Sequence, residues 1–556
     1  RLTVELTANP DWYAVQALPV VGNPLTDDAV AWATAYYANR LAGVLVEANP
    51  AISRVFESWK KSGKDQETLM SNLEKNSDLK DLLLAETPWV AEAADEAEQK
   101  RRIALLFDLN GMSSRLQQAA DKLRTLQLTD GSWSWYKGMK GSRYITTQTV
   151  ELMARLKAMN ISLTDGMEAQ YGRALGYLRK EVKKVYEQMR IQERENNIQV
   201  RPDEQIVKYL YICALDETAR KQADKEINTY FLARLTNRSA ECSIYEKSLL
   251  AVIMHAYGQK RQAELLLQSV KEYMLATPEM GRYFDTSKAG YSWNSYKIPT
   301  QVAAMEAIWR IAPDQHLLGD MKQWLLKQKQ VQVWDSPLAT ADAVYAFLGM
   351  GGNRLQASGS LKARIGSKTL VTPDDALGYV RQTYTGADTE VSRIAVVKSG
   401  EGLSWGAVYA QYLEDMIRVR PFRTNGLGIV REYWLGDEQV SASTRLKPGD
   451  KLIVRLTVKA DRDMDFVQIK DERASCMEPA VQLSGYHWNG GIGYYQVNKD
   501  ASTEFFIDQM RKGTYVLEYT VYLDRPGTYQ AGIATIQSAY APEFNGHTDG
   551  VELTIE

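Results

Sequence analysis

Cysteine is nearly missing from this chain: three in 556 residues, at Cys213, Cys242 and Cys476. So sparse and odd a set excludes a disulfide framework, and a chain of this length can bury cores large enough not to need one. One Cys213–Cys242 bond stays open, because both residues fall in helical sequence; small buried hydrophobes are the other reading. Histidine is almost as scarce, with four residues at His255, His316, His487 and His547. No two have metal-ligand spacing and no Cys–His cluster exists, so neither a zinc site nor any other cofactor is expected. An excess of one charge is also lacking, since 67 basic residues face 69 acidic ones for a net −2. That balance gives no reason to expect nucleic acid or an anionic membrane surface as partner. No run reaches the ~20 apolar residues of a membrane span. Gly490-Gly491-Ile492-Gly493 precedes no helix, so a phosphate loop is not supported. The chain opens on Arg1 with no three-part signal pattern, and Leu2–Leu6 reads as a strand entered mid-course. The expectation is a C-terminal piece of a longer polypeptide, with any targeting signal or anchor upstream.

What is present is globular in composition, 45% hydrophobic and 24% charged. A turn-plus-helix phrase recurs three times with drifting residues. It runs from Gly131-Ser132-Trp133-Ser134-Trp135 into Tyr144–Leu152, from Gly290-Tyr291-Ser292-Trp293 into Pro299–Ala304, and from Val333-Trp334 into Leu338–Ala346. In each, a threonine after the aromatic turn is placed to cap the following helix. Repeated units of this kind predict a closed ring or solenoid of helical hairpins. Helical spacing continues through Ala29–Ala48, Gln66–Leu84, Leu116–Leu126, Gly166–Met189, Asp203–Leu215, Ser243–Met254 and Arg261–Ala276. Near Met350–Asn353 the period changes to two. Leu452–Val458 and Tyr515–Tyr522 alternate as half-buried strands, separated by glycine turns such as Lys447-Pro448-Gly449-Asp450. The fold class is therefore mainly α plus β: an α/α toroid followed by antiparallel β-sandwich domains.

Several phrases in this order resemble the bacterial alpha-2-macroglobulin family. They begin with Leu2–Leu6, Pro10-Asp11-Trp12-Tyr13-Ala14 and Gln16-Ala17-Leu18-Pro19, then Tyr36-Tyr37-Ala38-Asn39. They end with Lys447–Asp450, Met464–Val467, Asp471-Glu472-Arg473, Glu478-Pro479, Lys512-Gly513-Thr514, Pro526–Tyr529 and Ala539–Glu543. The resemblance implies a ring-shaped thioester-like domain at 24–350, carried by a CUB-like β-domain made of residues 1–23 and 351–436. A terminal macroglobulin-like sandwich would follow at 437–556. In this family a Cys-x-Glu-Gln stretch forms an internal thioester. Counted back from Tyr36–Asn39, Asp28 stands at the cysteine position, Val30 at the glutamate and Ala31 at the glutamine. Acyl transfer of that kind needs a thiolate leaving group. The resemblance thus implies a thioester-less variant that traps proteases non-covalently, with Asp27 and Asp28 on a candidate interaction patch. Proteases are the expected partners, with cell-envelope proteins beside them, and any membrane association would run through an upstream anchor. The expected location is extracytoplasmic, periplasmic or outer-membrane-associated in a Gram-negative bacterium.

The other reading is a polysaccharide lyase or glycan-binding protein, since such enzymes also combine a helical ring with sandwiches. Trp133, Trp135, Trp293 and Trp334 would then stack on sugars; the bland alternative makes them plugs at the ring's end. A lyase also needs a His or Tyr base beside a cation, and the ring offers few histidines, His255 and His316. Terpene-cyclase-like acid motifs are not met by Asp27-Asp28 or Asp374-Asp375, and Glu92–Glu98 reads as a solvated face.

Overall fold

The computed structural model describes residues 1–48 and 109–556, apart from 285–295, 330–332, 351–358, 373–377, 401–402, 411–413, 424–425, 539–543 and residues 16, 25, 335 and 442. The expected elements at 66–84 and 92–98, the boundary glycines at 351–352, the Trp293 turn, Asp374–Asp375 and 539–543 lie outside the described residues. The described residues form two compact units, one within 2–409 and one over Ala410–Glu556.

The first unit opens with β1 (Leu2–Thr7) and two single-turn helices, α1 (Trp12–Val15) and α2 (Leu18–Val21). Helices then come in sequence: α3 (Ala29–Ala48), α4 (Leu109–Leu126), α5 (Arg143–Ala158), α6 (Asp165–Asn196), α7 (Glu204–Leu215), α8 (Glu217–Gln222), α9 (Lys225–Asn237), α10 (Ile244–Ala256) and α11 (Lys260–Lys271). A hairpin of β2 (Met274–Thr277) and β3 (Gly281–Phe284) precedes α12 (Lys297–Ile311), α13 (Gln315–Lys327) and α14 (Pro337–Leu348). Helix α3 packs on α5, α5 on α7, α7 on α10, α10 on α12, α12 on α14, and α14 returns to α3. That circuit is a closed α/α toroid, as the repeated phrase predicted.

The sequence explains which helices line the inside. Helices α5, α10 and α14 are buried without interruption over Ile145–Leu156, Ile244–Met254 and Ala339–Leu348, so both sides of each meet protein. The outer helix α11 buries only Ala263, Leu266, Leu267 and Val270, one stripe at helical spacing. Starts are fixed by side-chain caps: Asp203 accepts from the Ile206 N–H, and Ser243 forms a capping box with Glu246. The helix expected over 261–276 stops at Lys271. Met274–Thr277 instead pairs with Gly281–Phe284 around Pro278, and Gly281 takes φ 74°, where an added Cβ would strike the Asp320 carbonyl.

After the ring, β4 (Ser360–Ile365), β5 (Lys368–Val371), β6 (Tyr379–Tyr384), β7 (Ile394–Ser399) and β8 (Trp405–Ala410) make two three-stranded sheets, ordered β6-β1-β8 and β5-β4-β7. Strand β1 is antiparallel to β6 from Leu2↔Tyr384 to Thr7↔Tyr379. The two sheets share one core, in which Leu2, Val4 and Leu6 meet Leu361, Ala363 and Ile365.

The second unit is a sandwich built from β9 (Phe422–Arg423), β10 (Leu427–Leu435), β11 (Glu438–Gln439), β12 (Lys451–Ala460), β13 (Met464–Glu472), β14 (Met477–Pro479), β15 (Gly485–Asn489), β16 (Ile492–Asn498), β17 (Ser502–Met510), β18 (Gly513–Leu523), β19 (Gly527–Ala531), β20 (Ala534–Ser538), β21 (Asn545–His547) and β22 (Val551–Ile555). One sheet runs β11-β10-β12-β18-β14 and the other β15-β16-β17-β13-β20-β21-β9; β19 pairs with β22. Alternation does the sorting: Leu452, Val454, Leu456 and Val458 of β12 are buried, as are Leu517, Tyr519 and Val521 of β18. Leu427–Leu435, placed by sequence at the end of the carrying β-domain, pairs along its length with Lys451–Ala460 inside this sandwich. Arg431 reaches from that strand into the core, 2.6 Å from Asp471, which also accepts the Tyr519 hydroxyl at 2.7 Å.

Candidate functional site

Two places in the toroid gather polar chemistry. The first is the start of α3. The Asp28 Oδ1 accepts the backbone N–H groups of Val30 and Ala31, both at 3.0 Å, and its Oδ2 accepts the Thr26 hydroxyl at 2.6 Å. The Ala29 N–H donates to the Trp135 carbonyl at 2.9 Å. The first N–H groups of the helix are thereby satisfied, and the Asp28 side chain serves as a buried N-cap. Val30 and Ala31 follow it with only an isopropyl and a methyl group, so this trio holds no thiol and no carboxamide. Asp27 faces the other way. It is exposed, accepts the Trp32 indole N–H at 2.6 Å, and pairs with Lys122 at 3.0 Å. Hydrogen bonds from Lys122 and then Trp32 hold its carboxyl below the ordinary carboxylate range. Of the two aspartates expected on an interaction patch, Asp27 is at the surface and Asp28 is turned inward. Asp28→Ala should lower the ring's stability by about 1 kcal/mol in urea unfolding, the usual loss of a cap. A loss below about 0.3 kcal/mol would mean that the cap contributes nothing.

The second place is the ring axis, which sequence reading missed. From α5, Arg155 pairs with Asp342 of α14 and, at 2.9 Å, with Glu151 one turn earlier. Lys208 of α7 meets Glu151 at 3.0 Å and Gln148 at 3.1 Å. Glu306 of α12 accepts the hydroxyls of Tyr211 at 2.5 Å and Tyr345 at 2.8 Å, and pairs with Arg310 at 2.7 Å. The Arg155 guanidinium also lies 5.0 Å from the Tyr345 ring centre. Three cations thus meet three carboxylates across four inner helices. Burial raises the Asp342 carboxyl, and Arg155 offsets only part of that. Burial would raise Glu151 too, but Lys208 and Arg155 together bring it below its ordinary value. Burial pushes the Tyr211 phenol up, and Glu306 adds to the effect, so it stays a donor. The arrangement is mutually bonded and closed, with Glu151, Arg155, Tyr211, Glu306 and Tyr345 all at most 5% exposed. Its buried groups offer no open base to a substrate, and Arg310, the partly exposed cation among them, is held by Glu306.

The aromatic turns serve as staples between helices. The Trp133 and Trp334 rings are buried, and their indole N–H groups donate to Leu123 and Leu325 at 2.9 and 2.7 Å, carbonyls in the last turns of α4 and α13. These two rings are structural, and their acceptors lie in helix ends where loop carbonyls were expected. The threonines, however, are not the caps. Ser142 and Ser336 cap α5 and α14, and Thr146 and Thr340 sit one turn in. Their hydroxyls donate back to those serine carbonyls and accept the backbone N–H of Trp133 and Trp334 at 2.8 and 3.0 Å. A serine already occupied the cap, which freed the threonine to hold the turn. Trp135 departs from the plug reading: it is half exposed and lies against Tyr136 with ring centres 5.7 Å apart. Among the ring histidines, His255 is half-buried on the last turn of α10 and His316 is exposed on α13, both outside the axial network. All three cysteines are free and buried, so Cys213 and Cys242 are not bonded, and burial pushes the Cys213 thiol up to about 12. Among the described residues no group of three or more His, Cys, Asp or Glu is placed to hold a metal ion.

Comparison with known proteins bears on the whole chain. A sequence model described as the bacterial alpha-2-macroglobulin MG10 domain matches residues 426–543. An alpha-2-macroglobulin homolog of Nostoc sp. is 22% identical over 484 residues, covering 79% of this chain. The domain match and the Nostoc relative both indicate the bacterial alpha-2-macroglobulin family. It spans 23% of that Nostoc relative's length. It also matches the circularly permutated Ras protein 2 of Dictyostelium discoideum, 25% identical over 172 residues, 30% of this chain and 4% of that protein. Among solved structures, native Escherichia coli alpha-2-macroglobulin from domain MG7 to the C-terminus aligns over 100% of this chain and 77% of its own, at 13% identity and TM-score 0.37. The trypsin-activated Escherichia coli protein aligns over 100% of this chain and 34% of its own, at 14% identity and TM-score 0.40. The MG10 match begins where β10 begins to pair with β12, so the alpha-2-macroglobulin domain and the strand pairing agree on that edge.

Proposed function

We propose that this alpha-2-macroglobulin chain is part of a non-enzymatic, protease-trapping scaffold that holds its target without a covalent bond. The observation that carries this is the Asp28 carboxylate, engaged as the N-cap of α3 and followed by Val30 and Ala31. If these are the positions of the family's thioester residues, the ring has neither leaving group nor acyl carbon there. The thiols at Cys213, Cys242 and Cys476 are buried and offer no substitute. In this reading a cut upstream releases strain, and the toroid and sandwich move as rigid bodies. The location belongs to the same proposal: extracytoplasmic, periplasmic or at the outer membrane, with cell-envelope proteins as further partners. A lyase gains no support from the ring, because its axial tyrosines donate to Glu306, Arg155 is paired with Asp342 and Glu151, and all are buried.

The test mixes the complete polypeptide that carries this chain with several endoproteases and follows a large protein substrate and a small peptide substrate in parallel. The expected result is loss of large-substrate cleavage alone, with no adduct on denaturing gels. Equal activity on both substrates would remove the trapping role, and a protease-sized covalent adduct would remove the non-covalent one.

A further inference from the structure

The half-exposed Trp135 belongs to a hairpin whose base and tip are built differently. At the base, Ser134 bridges to Gly141 and the Ser142 N–H donates to the Trp133 carbonyl at 2.9 Å. Gly141 is pressed so close that a Cβ there would lie 1.9 Å from the Ser132 Oγ. The tip, Trp135-Tyr136-Lys137-Gly138-Met139-Lys140, is exposed at every residue. It turns through Gly138 at φ 88°, with the Met139 N–H donating to the Tyr136 carbonyl at 3.1 Å, and a Cβ on Gly138 would meet nothing within 4 Å. A stiff base therefore presents a convex turn to open space.

The composition of that turn is one-sided. Trp135 and Met139 are each 50% exposed and Tyr136 43%, so three large apolar side chains share the tip. Residues 131–142 contain Lys137 and Lys140 and no carboxylate. Close by, Asp27 is engaged by Lys122 at 3.0 Å and Arg143 by Asp203 at 2.5 Å, so the two tip lysines stand against the one carboxylate of Asp130, which accepts the Ser132 hydroxyl at 2.6 Å at the hairpin's base. The chain's overall neutrality conceals this local excess. Aromatic rings beside lysines suit a bilayer interface, where rings sit at headgroup depth and ammonium groups meet phosphates. Tryptophan, tyrosine and methionine also suit a protein interface, but there arginine is enriched and lysine depleted, so the two lysines favour the phospholipid surface. A sugar platform would add amide or carboxylate partners for hydroxyl groups, and this tip has none.

We infer that the 135–140 turn is a peripheral docking element for an anionic phospholipid surface, with Trp135, Tyr136 and Met139 entering the interface and Lys137 and Lys140 meeting headgroup phosphates. One such contact is weak by itself and acts alongside a second attachment. The inference is independent of the trapping reading.

The test is co-sedimentation of the full 556-residue chain with vesicles of equal parts phosphatidylglycerol and phosphatidylcholine, against vesicles of phosphatidylcholine alone. The expected result is salt-sensitive binding to the anionic vesicles only. Lys137→Glu with Lys140→Glu should weaken it roughly 30-fold or more. Trp135→Ser with Tyr136→Ser should also weaken it, and both variants should keep the parent circular dichroism because the substituted side chains are exposed and the Trp135 carbonyl that holds Ala29 is kept. Absent binding to anionic vesicles, or variants that bind like the parent, would overturn the inference. A parallel arm uses poly-glutamate: tip-dependent binding there and none to vesicles would reassign the turn to an acidic protein partner.

Discussion

Arg155→Met should unfold the toroid more readily than any surface change, by about 3–5 kcal/mol, because it leaves charged partners buried without their cation. Asp342 loses the guanidinium that contacts it, and Glu151 is left with Lys208. Chemical denaturation followed by far-ultraviolet circular dichroism reads the loss, and thermal melting should drop by several degrees. Removing both ends of the clasp, Arg155→Met with Asp342→Leu, should recover much of it, since a buried pair replaced by apolar groups is often nearly neutral. A single variant costing less than about 1 kcal/mol would show that the axial network contributes little to holding the ring.

The pH dependence separates a charge effect from a packing effect. Burial already raises Asp342, so its folded pKa lies above its unfolded value. A group shifted that way binds more protons folded than unfolded, and its contribution falls as pH rises through the folded pKa. Without Arg155 the shift grows. The penalty of Arg155→Met should therefore be largest near neutrality and shrink on acidification. A penalty constant across that range would instead point to lost packing of the arginine stem against Tyr345.

How much of this was legible depended on sequence distance. The staples were readable because a Gly-Ser-Trp or Val-Trp turn lies within six to thirteen residues of the threonine it meets. Even there the threonine's task was misjudged, because Ser142 and Ser336 are better caps and stand four residues earlier. The axis was not readable. Its defining contact joins residues 187 apart, on two helices that are each buried on every side. A partial signal existed in Glu151 with Arg155 and Glu306 with Arg310, each spaced i, i+4 inside an apolar stretch where a charge should draw notice. The cap at Asp28 lay in between: Asp followed by an apolar helix is a start signal, yet resemblance cast that residue as a lost reactive group. The geometry assigns that carboxylate its task as a helix cap.

Trp334→Ala should cost about 3–5 kcal/mol, the range for a large aromatic removed from a packed core. The ring is 1% exposed, it lies 6.2 Å from the Phe347 ring, and its N–H bonds the Leu325 carbonyl at the end of α13. Its loss opens a void between α13 and α14 and frees a polar group within it. Two milder variants divide the effect. Trp334→Phe keeps most of the volume and removes the N–H, so about 1–2 kcal/mol is expected. Thr340→Val keeps the shape and removes the hydroxyl that accepts the Trp334 backbone N–H, again about 1–2 kcal/mol. Equilibrium unfolding in urea measures all three. The same triplet at the first staple, Trp133→Ala, Trp133→Phe and Thr146→Val, should give the same ranking, because the contacts there are the same. If the two sets rank differently, the turns are alike in sequence only, and the toroid is not assembled from one repeated joint.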